Sequence, residues 1–254
     1  MLRLSDDLLK CTTTEELQSL LDKYPRALTQ PVIQDEGAYA LHLLVQKSTP
    51  DALALVSFAL SKPDIDVNVR DREGATPLMY SHSLAVTDVL LKAGADAKAT
   101  DNSGYTALHY LPERLNDPKE YRPVIDALIG AGASLSSTDS SKRTPIFRAE
   151  TAAVAKAMLE SNANPNVFDD QNLTPMHVML NNVSDENIVD LLEAMFRFGA
   201  NPDLQNETGT SPRAHAESIG RGELFNAALN RATLDPSKSD RLVDSKGSSC
   251  CTIA

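Results

Sequence analysis

Short apolar clusters recur along the chain, each at a similar distance behind a polar phrase. The clusters are Val89-Leu90-Leu91, Val124-Ile125 with Leu128-Ile129, Val154 with Met158-Leu159, and Ile188-Val189 with Leu191-Leu192. Their internal spacing is that of one apolar helical stripe. The phrase ahead of them reads Asp71-Arg-Glu-Gly-Ala-Thr-Pro-Leu78, Asp101-Asn-Ser-Gly-Tyr-Thr-Ala-Leu108, Asp139-Ser-Ser-Lys-Arg-Thr-Pro-Ile146 and Asp169-Asp-Gln-Asn-Leu-Thr-Pro-Met176. Worn copies stand at residues 34–41 and 206–213.

The phrase predicts a helix start. Thr76, Thr106, Thr144 and Thr174 suit the N-cap, where a hydroxyl accepts from an orphan amide, and Pro77, Pro145 and Pro175 suit the first helical position. Gly37, Gly74, Gly104 and Gly209 fall where a tight hairpin needs positive φ. Asn172 tolerates that slot, whereas Lys142 meets a steric cost, so its hairpin is expected to deviate most. The apolar runs close on Ala93-Gly94-Ala95, Ala131-Gly132-Ala133, Ser161-Asn162-Ala163 and Phe198-Gly199-Ala200, which read as helix C-termini. The unit is hairpin, helix, loop, helix. From Gln34 through residues 71, 101, 139 and 169 to 206 the steps are 37, 30, 38, 30 and 37 residues. The alternation suggests a duplicated pair, with the extra residues expected in the inter-helix loops at 112–118 and 181–185, as tolerated insertions or a second binding edge.

Self-similarity at this period and in this wording resembles the ankyrin repeat. The resemblance implies an all-α ankyrin-repeat solenoid with short β-hairpin tips and about six repeats including caps, starting near 34, 71, 101, 139, 169 and 206. Residues 1–33 are read as an N-terminal helical cap or half repeat, since Thr13 with Glu16 three residues on forms a capping-box start. Residues 34–234 are the repeats, with a polar terminal copy in which Arg213 replaces the usual Leu. Residues 235–254 read as a disordered tail.

The resemblance also implies where a partner docks, on the hairpin tips and the solvent-facing start of each first helix. That places Arg72, Glu73, Tyr105, Arg143, Asp170, Gln171 and Leu173 as partner-binding residues, with Ser83, Glu113, Thr151 and Asn181 further along the same face. Tyr105, Arg143 and Leu173 occupy one slot in successive repeats, and an aromatic beside an arginine has hot-spot composition. Tyr80 and Tyr110 are assigned to packing. His42, His109 and His177 share a slot that stabilises the turn in this family; at two repeats apart, on the order of 20 Å, they cannot converge on a metal. Leu60 followed by Asp66-Val67-Asn68 resembles an asparaginyl hydroxylation motif, making Asn68 a candidate site.

Composition narrows the function classes. With 254 residues and 42% hydrophobic content the chain can bury a core, yet no apolar run approaches the roughly 20 residues that span a bilayer. Met1-Leu-Arg-Leu-Ser-Asp-Asp is not expected to act as a secretory signal. A net charge of −11 without a basic stripe argues against nucleic acid. Three cysteines make no disulfide framework, and no phosphate loop, Cys-x-x-Cys pair or catalytic cluster is legible. No cofactor, metal, small-molecule substrate or enzymatic activity is therefore expected, and the chain reads as a monomer. Cys251-Thr-Ile-Ala254 resembles a farnesyl-type prenylation box, with Cys250 beside it as a candidate palmitoylation site. The combined expectation is a non-enzymatic scaffold or adaptor, cytoplasmic and tethered to the cytosolic face of a membrane through Cys251. That pairing resembles lipid-anchored adaptors and host-directed bacterial effectors acting inside a host cell. The alternative is a soluble regulator that masks a partner's surface without a lipid anchor.

Overall fold

A computed structural model describes residues 2–33, 37–47, 49–115 and 117–234. They divide into two compact units, residues 1–140 and residues 141 onward. In the first unit, helices α1 (Leu2–Lys10) and α2 (Thr14–Lys23) precede an antiparallel hairpin of β1 (Pro31–Ile33) and β2 (Ala38–Tyr39). There follow α3 (Ala40–Val45), α4 (Ala52–Leu60), a 3-10 turn at Pro77–Tyr80, α5 (Leu84–Lys92), α6 (Ala107–Arg114) and α7 (Pro118–Gly130). The second unit holds a 3-10 turn at Pro145–Arg148, α8 (Ala152–Glu160), α9 (Pro175–Asn182), α10 (Asp185–Arg197), α11 (Pro212–Ser218) and α12 (Gly222–Leu234). Each unit is thus two layers of helices, as the repeated pattern predicts. In the first, α4, α5 and α7 pack side by side behind α3, the Pro77–Tyr80 turn and α6; in the second, α8, α10 and α12 pack behind the Pro145–Arg148 turn, α9 and α11.

The apolar clusters sit where the helical stripe puts them. Val86 and Leu90 of α5, Val124, Ile125 and Leu128 of α7, and Ile188, Leu191, Leu192 and Met195 of α10 are buried. The first helices are buried more completely, and all six residues of α3 are inside. At the N-terminal end the expected capping box is present: the Glu16 amide donates to Thr13 Oγ1 at 3.2 Å, and the Glu16 carboxylate accepts from the amides of Thr12 and Thr13. Those amides hold the Glu16 carboxyl below its ordinary range. At the other end Arg213 pairs with Asp203 at 2.8 Å and lies 5.8 Å from the Phe225 ring centre, giving the last repeat a charged cover over a buried aromatic. The tail proposed for 235–254 and the repeat start at Gln34 lie outside the described residues.

The long repeats at 101 and 169 differ from the short ones in helix, not in loop. The short repeats at 71 and 139 have a four-residue 3-10 turn and then a nine-residue helix, whereas the 38-residue repeat at 101 has helices of eight and 13 residues. Four residues gained in each helix account for the eight by which 38 exceeds 30. The long repeat at 169 again has helices of eight and 13 residues. Placing the extra residues of these two repeats in inter-helix loops at 112–118 and 181–185 is therefore incorrect, whereas the repeat at 34 has helices of only six and nine residues. Pro112 lies inside α6, Pro118 opens α7 at the first helical position, where proline is compatible with helix, and Asn181 belongs to α9.

Lys142 takes φ +58°, in the same left-handed region as Gly74 and Gly104. Its hairpin keeps the bond from the Asp170 amide to the Ser141 carbonyl. Glycine is more strictly required at 74 and 104. A Cβ on Gly74 would stand 2.5 Å from Asn102 Oδ1, and one on Gly104 would stand 3.1 Å from Asp139 Cα.

Candidate protein-binding face

Three hairpin tips are held by the acid that opens their phrase. Asp101 Oδ1 accepts from the amides of Ser103 and Tyr105, both at 2.8 Å, and Asp71 and Asp169 repeat that clamp on Glu73 and Ala75 and on Gln171 and Leu173. Asn206 does the same for Thr208 and Thr210. The second oxygen is also used. Nine residues after Asp71 and Asp101 stand Tyr80 and Tyr110, whose hydroxyls donate to Oδ2 at 2.7 and 2.6 Å. Nine after Asp169 stands Val178, which has no hydroxyl, and there Arg143 supplies the donors, Nε at 3.0 Å and Nη2 at 2.9 Å. Adjacent tips are stitched by single backbone bonds, Asn102 N–H to Glu73 O and Ser140 N–H to Ser103 O, at 2.9 and 2.8 Å.

The helix starts behind the tips are set by histidine where the slot holds one. His42 Nδ1 accepts from the Tyr39 amide at 3.1 Å, which leaves Nε2–H to donate to the Ala75 carbonyl of the next hairpin at 3.0 Å. His177 repeats this with the Thr174 amide and the Thr210 carbonyl, both at 3.2 Å. Burial pushes both imidazoles below the ordinary value, as neutral tautomers with one accepting nitrogen require. The threonines stand at the N-cap as expected, but none of the four hydroxyls accepts from an orphan amide. In Thr106 and Thr174 the hydroxyl instead meets His109 or His177 Nδ1, at 3.0 and 2.9 Å. In the short repeats that slot holds Met79 and Phe147, and the Thr76 and Thr144 hydroxyls are buried without a partner among the described residues.

In front of this framework the first unit carries a row of rings. The Tyr80 and Tyr110 rings stack at 6.5 Å, His42 meets the edge of Tyr80 at 5.6 Å, and Tyr105 stacks on His109 at 5.5 Å while meeting Tyr110 edge-on at 5.8 Å. The Arg114 guanidinium lies 4.8 Å from the Tyr80 ring centre and 5.6 Å from that of Tyr110. Burial, reinforced by the aspartate each hydroxyl donates to, pushes both phenols well above their ordinary value. Beside Tyr80 opens a cleft of about 370 Å³ walled by His42, Leu43, Gln46, Arg72 and Glu73.

The face foreseen from the sequence is partly displaced. Arg72 and Glu73 are exposed at a tip and line the cleft, and Tyr105 is half-buried within the ring row. In the second unit Asp170 and Gln171 are exposed at a tip and Leu173 is half-buried, but Arg143 is engaged by the buried Asp169 carboxylate. Ser83 and Thr151 are not on the face; they cap α5 and α8, since the shortened first helix has already ended. Asn181 Oδ1 bonds His215 at 2.8 Å. In the first unit Arg114, which sequence reading passed over, lies over two aromatic rings, and they are the two tyrosines assigned to packing. The available signal was Arg114 four residues after Tyr110 on one helix, with Tyr80 in the same slot one repeat earlier. Asn68 ties two turns together, its Oδ1 accepting from the Asp96 amide at 2.8 Å and its Nδ2 donating to the Gly94 carbonyl at 3.1 Å. Cys250 and Cys251 lie outside the described residues. Among the described residues no helix is long and apolar enough to cross a membrane, and no group of His, Cys, Asp and Glu is placed to hold a metal.

No family model matches the sequence. By structure the chain is similar to a crystal structure of an ankyrin repeat domain from Acinetobacter baumannii AYE, with a TM-score of 0.58 and 23% identity, covering 74% of this chain and 95% of that one. The fold is that of the ankyrin repeat. In sequence, these ankyrin repeats are similar to Palmitoyltransferase AKR1 of Saccharomyces cerevisiae, 38% identical over 81 residues, which is 30% of this chain and 10% of that protein. They are also similar to Neurogenic locus notch homolog protein 1 of Danio rerio, 30% identical over 154 residues, which is 57% of this chain and 6% of that protein. The chain thus spans a tenth or less of these two relatives.

Proposed function

We propose that the chain is a non-enzymatic protein-interaction module whose partner docks on the hairpin tips and first helices. The observation that carries this is the ring row of the first unit. Tyr80, Tyr105 and Tyr110 with Arg114 are fixed by hydrogen bonds and stacking beside a cleft rimmed by Arg72 and Glu73, the residue mixture of interface hot spots on a support that loses little entropy on binding. In the second unit Asp170, Gln171 and Leu173 supply further contact positions, while Arg143 stiffens its tip. The test is affinity capture with the full chain against Tyr105→Ala and Arg72→Glu, each checked for native circular dichroism. Loss of the same captured protein in both variants is expected; capture indifferent to both removes this face as the site.

The finer reading is an adaptor held at the cytosolic face of a membrane by prenylation of Cys251, and it suits a eukaryotic adaptor and a host-directed bacterial effector alike. Its support is the wording Cys251-Thr-Ile-Ala254. One prenyl chain binds a bilayer only marginally, and Lys238, Arg241 and Lys246 are offset by Asp235, Asp240 and Asp244, so a second lipid on Cys250 is the natural complement. The intact mass of the C-terminal peptide after expression in a eukaryotic cell tests it. A prenyl adduct on Cys251 with Thr252–Ala254 removed is expected; an unmodified peptide leaves the soluble regulator.

A further inference from the structure

Arg114 differs from the arginines around it. Acidic residues outnumber basic ones 35 to 24; Arg122, Arg143, Arg197, Arg213, Arg221 and Arg231 pair with carboxylates, Arg70 donates to the Gly74 and Thr100 carbonyls, and Arg72 is exposed at a tip. Arg114 has no ion pair or hydrogen bond among the described residues, and its Nε is sealed from solvent without an acceptor. What holds it is two tyrosine faces, and those rings are pinned in turn by Asp71 and Asp101. A guanidinium held over aromatic rings keeps its charge, and a guanidinium can meet a carboxylate in two parallel hydrogen bonds. Its cost of ordering has already been met by the fold.

We propose that Arg114 is the docking cation for an Asp or Glu side chain of an acidic protein segment crossing the first-helix face of the first unit. The proposal rests on the protein-binding reading above and adds the partner's chemistry. A carboxylate fits better than a phosphate, because Asp71, Asp101 and Glu73 already place negative charge beside Tyr80 and Tyr110. A dianion meets that repulsion with twice the charge, while one carboxylate gains the same bidentate contact. The adjoining cleft, with Tyr80 as a wall shared with the Arg114 platform, gives the neighbouring residue of the segment a place to bury.

The experiment is selection of a random dodecapeptide library displayed on phage against the full chain and against Arg114→Gln, with Arg122→Gln as the charge-matched control outside the ring row. A net charge of −11 selects for basic peptides by default, so enrichment of Asp and Glu runs against the background. Acidic enrichment with the wild type and with Arg122→Gln, lost with Arg114→Gln, is the expected result. Replacing the contacting Glu of a selected peptide by Gln leaves the protein untouched and is expected to weaken binding about ten-fold or more by fluorescence anisotropy. Arg114→Lys, which keeps the charge and loses the fork, is expected to bind between wild type and Arg114→Gln. Peptides without acidic residues, equal binding by Arg114→Gln, or tighter binding when that Glu is exchanged for phosphoserine each overturn the proposal. Peptides indifferent to Arg114 but lost with Tyr105→Ala leave the protein-binding reading standing and sink this one; no selected peptide at all sinks both.

Discussion

Replacing Asp101 by Ala removes three hydrogen bonds at once, and their placement sets the cost. The Ser103 amide lies at an exposed tip, so water recaptures it and its loss contributes about 0.5 kcal/mol. The Tyr105 amide and the Tyr110 hydroxyl are half-buried and donate to a charged acceptor at 2.8 and 2.6 Å, for about 1–1.5 kcal/mol each. The total is about 3 kcal/mol, less whatever the tip recovers by relaxing. At a urea slope of about 2 kcal/mol/M this lowers the unfolding midpoint by about 1.5 M. Asp101→Asn keeps Oδ1 for both amides, as Asn206 does in the last repeat, and the Tyr110 hydroxyl can turn to accept from the new amide, so it is expected to cost under about 1 kcal/mol. The assay is built into the sequence: there is no Trp, and all six tyrosines lie between Tyr24 and Tyr121, so tyrosine emission reports the first unit alone while circular dichroism reports both. Two outcomes refute the reasoning. One is a midpoint for Asp101→Ala within error of wild type. The other is equal losses for the Ala and Asn variants, which would make the charge, not the acceptor atom, the source of the effect.

Thr76→Val replaces a buried hydroxyl without a partner among the described residues and is expected to stabilise the first unit by about 0.5–1 kcal/mol, whereas Thr106→Val removes the bond to His109 and is expected to cost about 1 kcal/mol. Opposite signs at one repeat slot, read by tyrosine emission in urea, are the check; like signs reject the pairing argument. His42 has its folded value depressed below the unfolded one of about 6.5, so the unfolded state binds the proton more tightly and the contribution is full above that value and lost as pH falls below it. Midpoints measured across that range should fall with acid more steeply in the wild type than in His42→Gln; parallel profiles would reject it. Lys142→Gly should relieve the left-handed strain and stabilise the second unit by about 0.5–1 kcal/mol, read by circular dichroism because that unit has no tyrosine. An unchanged or lower transition would show that the lysine side chain contributes contacts outweighing the strain.

The fold was legible because each phrase carries its own local instruction. Thr before Pro, Gly at the positive-φ turn and an apolar stripe behind them specify hairpin and helix pair without reference to anything distant. What the phrase could not give was the use of its first residue. An Asp opening a turn looks like any Asx turn, and only the fold shows Oδ2 reaching a tyrosine nine residues on. The surroundings of the candidate residues were half legible for the same reason. Exposure at a tip follows from register, which placed Arg72, Glu73, Asp170 and Gln171 correctly. Whether an arginine is engaged depends on residues in another repeat, so register alone could not show that Arg143 pairs with Asp169 or that Arg114 lies over two tyrosine rings.

The alternation of long and short repeats ties these observations together. Eight positions after the cap, a short repeat is already in its second helix, at Leu84 or Ala152, so it has no residue to offer there. A long repeat still has first helix at that point, or has just left it, and places Lys47, Arg114 or Asn182. Lys47 is buried and donates to the carbonyls of Leu9 and Cys11, closing the end of α1. Arg114 follows a short repeat whose first helix is only a 3-10 turn ending at Tyr80. With no long helix end before it to close, its guanidinium lands on the tyrosine rings instead. In the repeat at 101 the four residues added to the first helix therefore extend its face, and they do so rigidly: a loop could not hold one guanidinium against two rings whose hydroxyls each donate to a separate aspartate.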